Sequence, residues 1–219
     1  MKKYIFWDFD GTVLNTNEII VDSWNATAMK YLGHELDEDV ILATFGETIR
    51  YTAGVFFPNA DVEEAITYYR DYQDANCKGK VKVFDGVKEL IEQLISEGCR
   101  MALVTSRTKR TTLAYLEDFD IGGLFDVVIT CDDVGVHKPD PEPLLMAIRL
   151  FEEKEGHPID KKDCIMIGDT KFDIGCGNNA GVDTVLAGWS HEIDQAVLTE
   201  LGFKADFCTT KVEEIRDFL

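Results

Sequence analysis

Two carboxylates, Asp8 and Asp10, follow a run of four apolar residues at positions 4–7. A run without polar alternation is typical of a strand that is buried on both faces of a parallel sheet. Gly11 and Thr12 come next, so the acidic pair lies where the strand ends and a loop begins. Open α/β sheets bind their ligands at this edge. Because like charges repel each other, the pair predicts a bound cation, and a metal ion is the first candidate.

Further polar side chains follow three later segments that are predicted to be strands. They are Thr105 and Ser106 after residues 100–104, Lys138 after residues 126–130, and Asp169 and Asp173 after residues 164–167. Carboxylate oxygens are the ligands that Mg²⁺ prefers, together with water and phosphate oxygens. Backbone amides at a helix N-terminus and a lysine ammonium are suited to a phosphoryl group. The pattern therefore predicts a magnesium site beside a phosphoryl-binding site.

Four motifs in this order give the chain its resemblance to a known family. They are Asp8-Phe9-Asp10-Gly11-Thr12, then Thr105, then Lys138-Pro139, and finally residues 168–173. In these motifs the chain resembles the haloacid dehalogenase-like (HAD) hydrolase superfamily, in the branch of the phosphoglycolate phosphatases. The resemblance covers essentially the whole chain. It implies a Rossmann-like, doubly wound parallel α/β sheet with an all-α helical cap inserted after the first motif.

The resemblance also implies roles for the four acidic residues. Asp8 would be the nucleophile that forms an aspartyl-phosphate. Asp10 would protonate the leaving oxygen and later deprotonate the water that releases phosphate. Mg²⁺ would be bound by the Asp8 carboxylate, the backbone carbonyl of Asp10 and Asp169, with Asp173 supporting these ligands from outside the coordination sphere.

The remaining motif residues are expected to bind the phosphoryl group. Thr105 and the amide of Ser106 would bind its oxygens, and Lys138 would neutralise both the nucleophile and the phosphoryl charge. Phe9 and Gly11, which flank the second acid of the first motif, complete this predicted set. Cations are needed because attack by an anion on a dianion gathers negative charge in the transition state.

Several of these residues also have an ordinary structural interpretation. Thr105 and Asp173 could each cap a helix, and Lys138 could be a surface lysine. The functional interpretation of Thr105, Asp173 and Lys138 is favoured because all four motifs agree.

Basic residues outside the motifs are less specific. Residues 44–50 resemble the loop that contacts the leaving group in capped relatives, and Arg50 could pair there with a carboxylate or a second phosphate, or lie at the surface. Arg107, Lys109 and Arg110 are interpreted as a solvated helix face, with contact between one of them and substrate as the alternative.

Two kinds of pattern position these residues along the chain. Hydrophobic spacing predicts helices over residues 18–32, 37–44, 47–57 and 61–77. From residue 82 onward strands and helices alternate, which predicts a parallel sheet with helices on both faces, ending in helices near residues 194–201 and 212–219. We therefore expect a hydrolase core formed by residues 1–16 and 81–219, and a helical cap domain formed by residues 17–80.

Composition limits the partners and the compartment. The 219-residue chain has 41 acidic and 22 basic residues and a formal net charge of -19, which argues against nucleic acid or an anionic membrane as a partner. No segment has the apolar length of a membrane span. The six cysteines are scattered singly, as expected for reduced thiols in a cytoplasm. Either a monomer or a homodimer is compatible with the sequence.

The first hypothesis is a Mg²⁺-dependent phosphatase for a small phosphorylated metabolite, such as phosphoglycolate or a sugar phosphate. A sugar phosphomutase is the nearest alternative, but the mutases that the chain resembles carry a His before the cap, where this chain has Ile19 and Ile20. A haloacid dehalogenase would lack Asp10 and the metal site. A signalling receiver domain would carry its phosphorylated Asp after a later strand and would have no cap. A non-catalytic binding module is disfavoured by the complete set of motif residues.

Overall fold

The computed structural model describes residues 2–191 and 195–219. Six of its strands form one parallel sheet in the order β5-β4-β1-β6-β7-β8, and the other two form an antiparallel pair. The strands are β1 (Tyr4–Trp7), β2 (Leu14–Asn15), β3 (Lys82–Val83), β4 (Arg100–Val104), β5 (Val127–Ile129), β6 (Cys164–Gly168), β7 (Asp183–Ala187) and β8 (Phe207–Thr209).

The first strand lies in the middle of the sheet and is buried on both faces, as its unbroken apolar sequence predicts. Its residue Ile5 pairs with Met101 of β4 on one side and with Ile165 of β6 on the other. The chain first extends the sheet through β4 and β5 and then crosses to β6 on the opposite side of β1. This reversal places the loops after β1, β4 and β6 side by side at the carboxyl edge. The predicted doubly wound sheet is therefore confirmed, and its switch point lies at Asp8.

Side-chain alternation along β1 divides the core into two layers. Ile5 and Trp7 belong to one hydrophobic cluster, which the helix spanning residues 87–96 covers. Tyr4 and Phe6 belong to the other, which the helix spanning residues 142–155 covers. Both faces of the sheet are thus closed by helices, and only its edge remains available for polar chemistry.

Nine α-helices are present in the described part of the chain. They are α1 (Asn17–Tyr31), α2 (Glu38–Leu42), α3 (Ile49–Phe56), α4 (Val62–Asn76), α5 (Val87–Ser96), α6 (Lys109–Asp118), α7 (Glu142–Glu155), α8 (Lys171–Ala180) and α9 (Gln195–Glu200). None of them has the length and apolar character required to cross a bilayer. The helix expected near residue 194 is seen from Gln195 onward, because residues 192–194 lie outside the described residues. The last predicted helix is wrong in type, since Val212–Phe218 forms a 3₁₀-helix.

The helices α1 to α4 lie between β2 and β3 and have a hydrophobic cluster of their own. Trp24 of α1 is its centre, with ring centroids 4.2 Å from Tyr69 of α4 and 5.4 Å from Phe56 of α3. The antiparallel pairing of β2 with β3 was not predicted, and it brings the two ends of this helical segment together. The division of the chain into a core and a cap domain at residues 16/17 and 80/81 stays a prediction.

Phe151 offers a test of the core that leaves the sheet edge untouched. Its ring centroid lies 5.3 Å from that of Tyr4 and 5.9 Å from that of Phe6. We expect Phe151→Ala to lower the free energy of unfolding by about 3–5 kcal/mol, because it removes buried apolar contacts and leaves a cavity. The exposed neighbour Arg149 provides the control, since Arg149→Ala should cost less than about 0.5 kcal/mol. Denaturant titration measures both variants, and equal losses would contradict the assigned packing.

Candidate active site

A buried lysine joins two carboxylates at the carboxyl edge of the sheet. The ammonium of Lys138 donates to Asp8 Oδ1 at 2.6 Å, to Asp173 Oδ1 at 2.5 Å and to the carbonyl of Val104 at 3.2 Å. All three charged side chains are buried. Each of the three ammonium hydrogens therefore has an acceptor, as a buried charge requires. Lys138 is thus not a surface residue, and its position agrees with the predicted role of compensating the charge of Asp8.

Burial changes the proton affinity of these groups. Burial raises the pKa of Asp8 to about 7, and the Asp173 carboxylate adds to this rise while Lys138 opposes it. Although burial opposes it, attraction from Asp173 and Asp8 raises the pKa of Lys138 above its ordinary value. The lysine therefore remains an ammonium, and its positive charge is what opposes protonation of the nucleophile candidate.

Asp169 brings a further negative charge into this buried group. Its Oδ1 accepts a hydrogen bond from Thr12 Oγ1 at 3.2 Å, whereas its Oδ2 is buried without a hydrogen-bond partner. His191 Nδ1 lies 3.4 Å from Oδ2, but burial lowers the pKa of this histidine, so it does not supply the missing charge. Burial, followed by repulsion from Asp8, raises the pKa of Asp169 well above its ordinary value. A cation is what this oxygen lacks.

The donor set fits a hard divalent cation such as Mg²⁺. Oxygens of Asp8, Asp169 and Asp173 lie within 4.8 Å of one another. Asp173 already uses both of its oxygens, Oδ1 for Lys138 and Oδ2 for the amide and hydroxyl of Thr170 at 3.0 and 2.6 Å. Asp8 and Asp169 are therefore the carboxylates suited to direct coordination, while Asp173 orients Lys138 and begins α8. The capping role that the sequence left open for Asp173 coexists with this second role.

Gly11 allows the first loop to approach this site. Its φ is +82°, and a Cβ added there would lie 1.9 Å from Asp169 Oδ2. Its amide donates to the carbonyl of Leu14 at 2.7 Å, and the Phe9 side chain is part of the hydrophobic core. These contacts give Phe9 and Gly11 structural tasks, and their assignment to phosphate binding stays a prediction.

Asp10 is paired with Arg107, which was predicted to lie on a solvated helix face. Arg107 donates from Nε to Asp10 Oδ2 at 2.8 Å and from Nη2 to Asp10 Oδ1 at 2.7 Å. Its side chain is only 8% exposed, and its guanidinium carbon lies 4.8 Å from the ring centroid of Tyr115. The interpretation of Arg107 as part of a solvated helix face is therefore wrong. Because α6 begins only at Lys109, Arg107 belongs to the loop after β4 and lies at the edge of the sheet.

The loop after β4 also carries the two predicted phosphoryl-binding residues. Thr105 is buried, and its hydroxyl accepts a hydrogen bond from the amide of Arg107 at 3.1 Å. The Ser106 hydroxyl donates to the carbonyl of Gly46, in the loop between α2 and α3, at 2.9 Å. Ser106 thus joins the sheet edge to the helical segment. Gly46 is needed for this contact, since its φ is +86° and an added Cβ would lie 2.7 Å from Thr170 Oγ1.

A cavity of ≈120 Å³ lies between the sheet edge and the helical segment. Asp8, Asp10 and Thr105 line it from the sheet, and Trp24 and Tyr69 line it from the helices. The candidate nucleophile, the candidate general acid and the predicted phosphoryl-binding loop thus face a common space. The cavity is large enough for a small molecule and is lined on the side away from the sheet by apolar and polar side chains of α1, α3 and α4.

Arg50, which was predicted to contact the leaving group, lies away from this cavity. Its guanidinium pairs with Glu63 of α4, and its side chain is 68% exposed. The neighbouring residues Ile49 and Thr52 line the cavity instead. The surface alternative for Arg50 is the one that its position supports.

Other residues at the cavity or beside the acidic group were not singled out from the sequence. Arg70 and Gln73 of α4 line the cavity, and His191 contacts Asp169. His191 follows β7, so its position after a strand of the parallel sheet was a usable signal. Arg70 carries no such signal, because helical spacing alone does not show which turn faces a cavity on the sheet.

Comparison with known proteins establishes the family. Residues 5–187 match the model of the haloacid dehalogenase-like hydrolases, which is most of the chain. The chain belongs to this family. It is 31% identical over 215 residues to the pyrophosphatase PpaX of Bacillus cereus, which covers 98% of this chain and 95% of that protein.

Solved structures of this fold agree with the family assignment. A protein from Bacteroides fragilis, assigned as a haloacid dehalogenase-like hydrolase, superimposes with a TM-score of 0.84 at 21% identity over 98% of this chain and 100% of its own. A protein from Lactobacillus plantarum, assigned as a phosphoglycolate phosphatase, superimposes with a TM-score of 0.81 at 23% identity over 100% of both chains. These identities support the fold alone. With the family match, the fold comparison confirms the HAD fold that the sequence predicted. The predicted enzyme class, a phosphatase, is confirmed by the family match and the named relatives.

Stability measurements with and without Mg²⁺ test whether these carboxylates bind a metal ion in this HAD hydrolase. The raised pKa of Asp8 means that the folded chain binds more protons than the unfolded chain between pH 3.8 and about 7. Without metal, its contribution to the free energy of unfolding therefore falls as the pH rises through this window. Because Mg²⁺ competes with protons for the carboxylates, we expect it to raise Tm by several degrees more at about pH 8 than at about pH 6.

Asp169→Asn is the matched control for this measurement, since it removes the unpartnered charge but keeps the size of the side chain. The variant should lose most of the Mg²⁺-dependent rise in Tm at both pH values. An equal rise in the variant and the wild type would show that Mg²⁺ binds elsewhere.

Proposed function

We propose that the chain is a Mg²⁺-dependent phosphatase that hydrolyses a small phosphorylated metabolite through an aspartyl-phosphate on Asp8. One observation carries the proposal: Lys138 bridges the buried Asp8 and Asp173 next to Asp169, whose Oδ2 lacks a partner. A purely structural network would satisfy all of its buried charges, whereas this one is short of a cation. The names of the relatives, a pyrophosphatase and a phosphoglycolate phosphatase, support substrates of this size.

Asp8 and Asp169, together with the backbone carbonyl of Asp10, would hold Mg²⁺. When bound, the ion would neutralise charge on the transferring phosphoryl group. Lys138 adds a fixed positive charge on the other side of the nucleophile, and the loop at Thr105 and Ser106 offers donors to the phosphoryl oxygens. The residues of the chain thus surround the position of the developing charge.

In the first half-reaction, an oxygen of the Asp8 carboxylate attacks phosphorus and forms the acyl phosphate. The bond between phosphorus and the leaving oxygen breaks, and its electron pair stays on that oxygen. Asp10, whose carboxyl lines the same cavity, donates a proton to the leaving oxygen, so that the product departs as an alcohol or an acid.

In the second half-reaction, the Asp10 carboxylate takes a proton from a water molecule whose oxygen attacks the same phosphorus. The bond between phosphorus and the Asp8 oxygen then breaks, which returns the electron pair to the carboxylate and releases inorganic phosphate. Asp10 is then protonated again, as it was before it donated its proton to the leaving oxygen. The cycle thus uses two carboxylates with separate tasks.

We assign the helical segment, residues 17–80, as a cap that controls access to the cavity. Its two ends meet at the β2–β3 pair, which makes this pair a natural hinge. The bond from Ser106 to the carbonyl of Gly46 is a contact that opening would break. A cap of this kind admits substrate and excludes water during phosphoryl transfer.

Transfer to water is favoured over transfer to a sugar. Ile19 is buried in the hydrophobic core, and Ile20 lines the cavity. Neither side chain can move a proton at the position where the resembling mutases carry His.

The six cysteines are free thiols, which supports a reducing compartment such as the cytoplasm.

A panel of phosphorylated metabolites tests this function. We expect Mg²⁺-dependent release of phosphate from at least one small substrate, and a loss of more than about 10³-fold in kcat for Asp8→Asn, because an amide is a poor nucleophile. The exposed Asp118 at the end of α6 gives the control, since Asp118→Asn should retain wild-type turnover. Turnover retained by Asp8→Asn, or unaffected by exhaustive chelation, would overturn the proposal.

A further inference from the structure

Arg70 is a cation without a partner on the wall of the cavity. It lies on α4, one residue after the buried Tyr69, and is itself half-buried. Within residues 2–191 and 195–219 it makes no hydrogen bond and no ion pair with another side chain. In a chain with 41 acidic and 22 basic residues, a half-buried guanidinium that has no carboxylate partner is unexpected, since carboxylates are abundant. Withdrawing this charge from water carries a cost that a bound anion would offset.

Two other charged groups on the cavity wall are held in ion pairs. Asp8 is paired with Lys138, and Asp10 is paired with Arg107. Glu47 enters the cavity from the loop between α2 and α3 and is attracted by Lys171 of α8. On the helical side of the cavity, Arg70 is a lining cation that has no ion pair among the described residues.

Arg107 has the geometry of an anion receptor. Its fork holds both oxygens of Asp10, at 2.8 and 2.7 Å, and this bidentate form is the one in which arginine binds carboxylate and phosphate. The guanidinium is buried against Tyr115, which fixes its plane toward the cavity. A substrate anion of the same shape can replace the Asp10 carboxylate without rearrangement of the arginine.

We infer that Arg70 and Arg107 form a second anion subsite and that the substrate carries a second anionic group, a phosphate or a carboxylate, on its leaving side. This inference rests on the proposed function, because it describes the leaving group of the same reaction. Arg107 exchanges the Asp10 carboxylate for the second anion of the substrate, and the freed carboxylate takes a proton from the solvent, so that it reaches the leaving oxygen as the acid. Recognition of the leaving group is thus coupled to release of the general acid.

The coupling distinguishes this subsite from simple attraction. A substrate without the second anion leaves Asp10 held by Arg107, so it loses turnover as well as affinity. We therefore expect the second anion to raise kcat in addition to lowering KM. Simple attraction would act on KM alone.

A matched pair of substrates tests the subsite. Phosphoglycolate and 2-hydroxyethyl phosphate release similar primary alcohols and differ in a carboxylate. Wild-type kcat/KM should favour phosphoglycolate by at least about tenfold, which is the size of one charge-assisted hydrogen bond. Pyrophosphate is assayed in parallel. Because phosphate is intrinsically a better leaving group than an alcohol, the preference of the subsite for a second phosphate or a carboxylate is measured by binding of the two compounds to Asp8→Asn and not by their rates.

Variants locate the preference. We expect Arg70→Gln and Arg107→Lys each to reduce the ratio of the two kcat/KM values by about 10-fold or more, because each weakens contact with the second anion. Arg110, which is 63% exposed and pairs with Asp74 at the surface, is the control, and Arg110→Gln should keep the wild-type ratio. Should Arg107→Lys fail to fold, the wild-type substrate pair and Arg70→Gln still decide the question.

Two kinetic results overturn the inference. One is a wild-type ratio near one for both phosphoglycolate and pyrophosphate against the neutral ester, and the other is a parallel fall for all substrates in Arg70→Gln. Calorimetric binding to Asp8→Asn separates the inference from the proposed function. Tighter binding of phosphoglycolate than of 2-hydroxyethyl phosphate without any turnover by the wild type would sink the phosphatase assignment and keep the subsite. Equal binding would overturn the subsite.

Discussion

The ammonium of Lys138, buried between Asp8 and Asp173, is the interaction on which the rest of the structure depends. It ties the end of β1 to the start of α8 through a residue in the loop between β5 and α7. A buried charge that loses its partner destabilises a protein by about 3–5 kcal/mol, so this triad fixes the relative positions of those three segments. The positions of the sheet strands and the chemistry at their edge are thus set by the same contacts.

One carboxylate beside this triad of Asp8, Lys138 and Asp173 has no cation as a partner. Asp169 contributes a carboxylate whose Oδ2 has no hydrogen-bond partner, beside two carboxylates that share a single lysine. Folding brings these groups together because the order of strands reverses at β1. Concentrating negative charge there costs free energy, and the proposed divalent cation would remove this cost. On the other side of the cavity the balance is reversed, since Arg70 is a cation that lacks an anion.

Much of this could be predicted from the sequence because the rules involved are local. Apolar runs that end in Asp8, Thr105 or Asp169 predict buried strands, and parallel strands of one sheet end at one edge. The spacing of apolar residues likewise predicted the four helices between β2 and β3, with differences of a few residues at their ends.

The failures share a physical cause, which is that they depend on contacts between distant residues. Arg107 pairs with Asp10 across 97 positions, and no local pattern encodes this distance. Strands as short as β2 and β3 carry too few residues to show alternation. Arg50 lies on α3 and Arg70 on α4, and the two helices have similar spacing of apolar residues. Only the packing of these helices decides that Arg70, and not Arg50, lines the cavity.

The central claim is that Asp8 carries the phosphoryl group, and chemical trapping tests it most directly. Borohydride reduces an acyl phosphate to an alcohol, so enzyme quenched during turnover and treated in this way should contain homoserine at position 8. Peptide mass spectrometry locates the change, and the account predicts it at Asp8 alone, only in the presence of substrate and Mg²⁺. Reduction at Asp10 or Asp169, or an unmodified chain during steady turnover, would contradict the assignment of Asp8 as nucleophile.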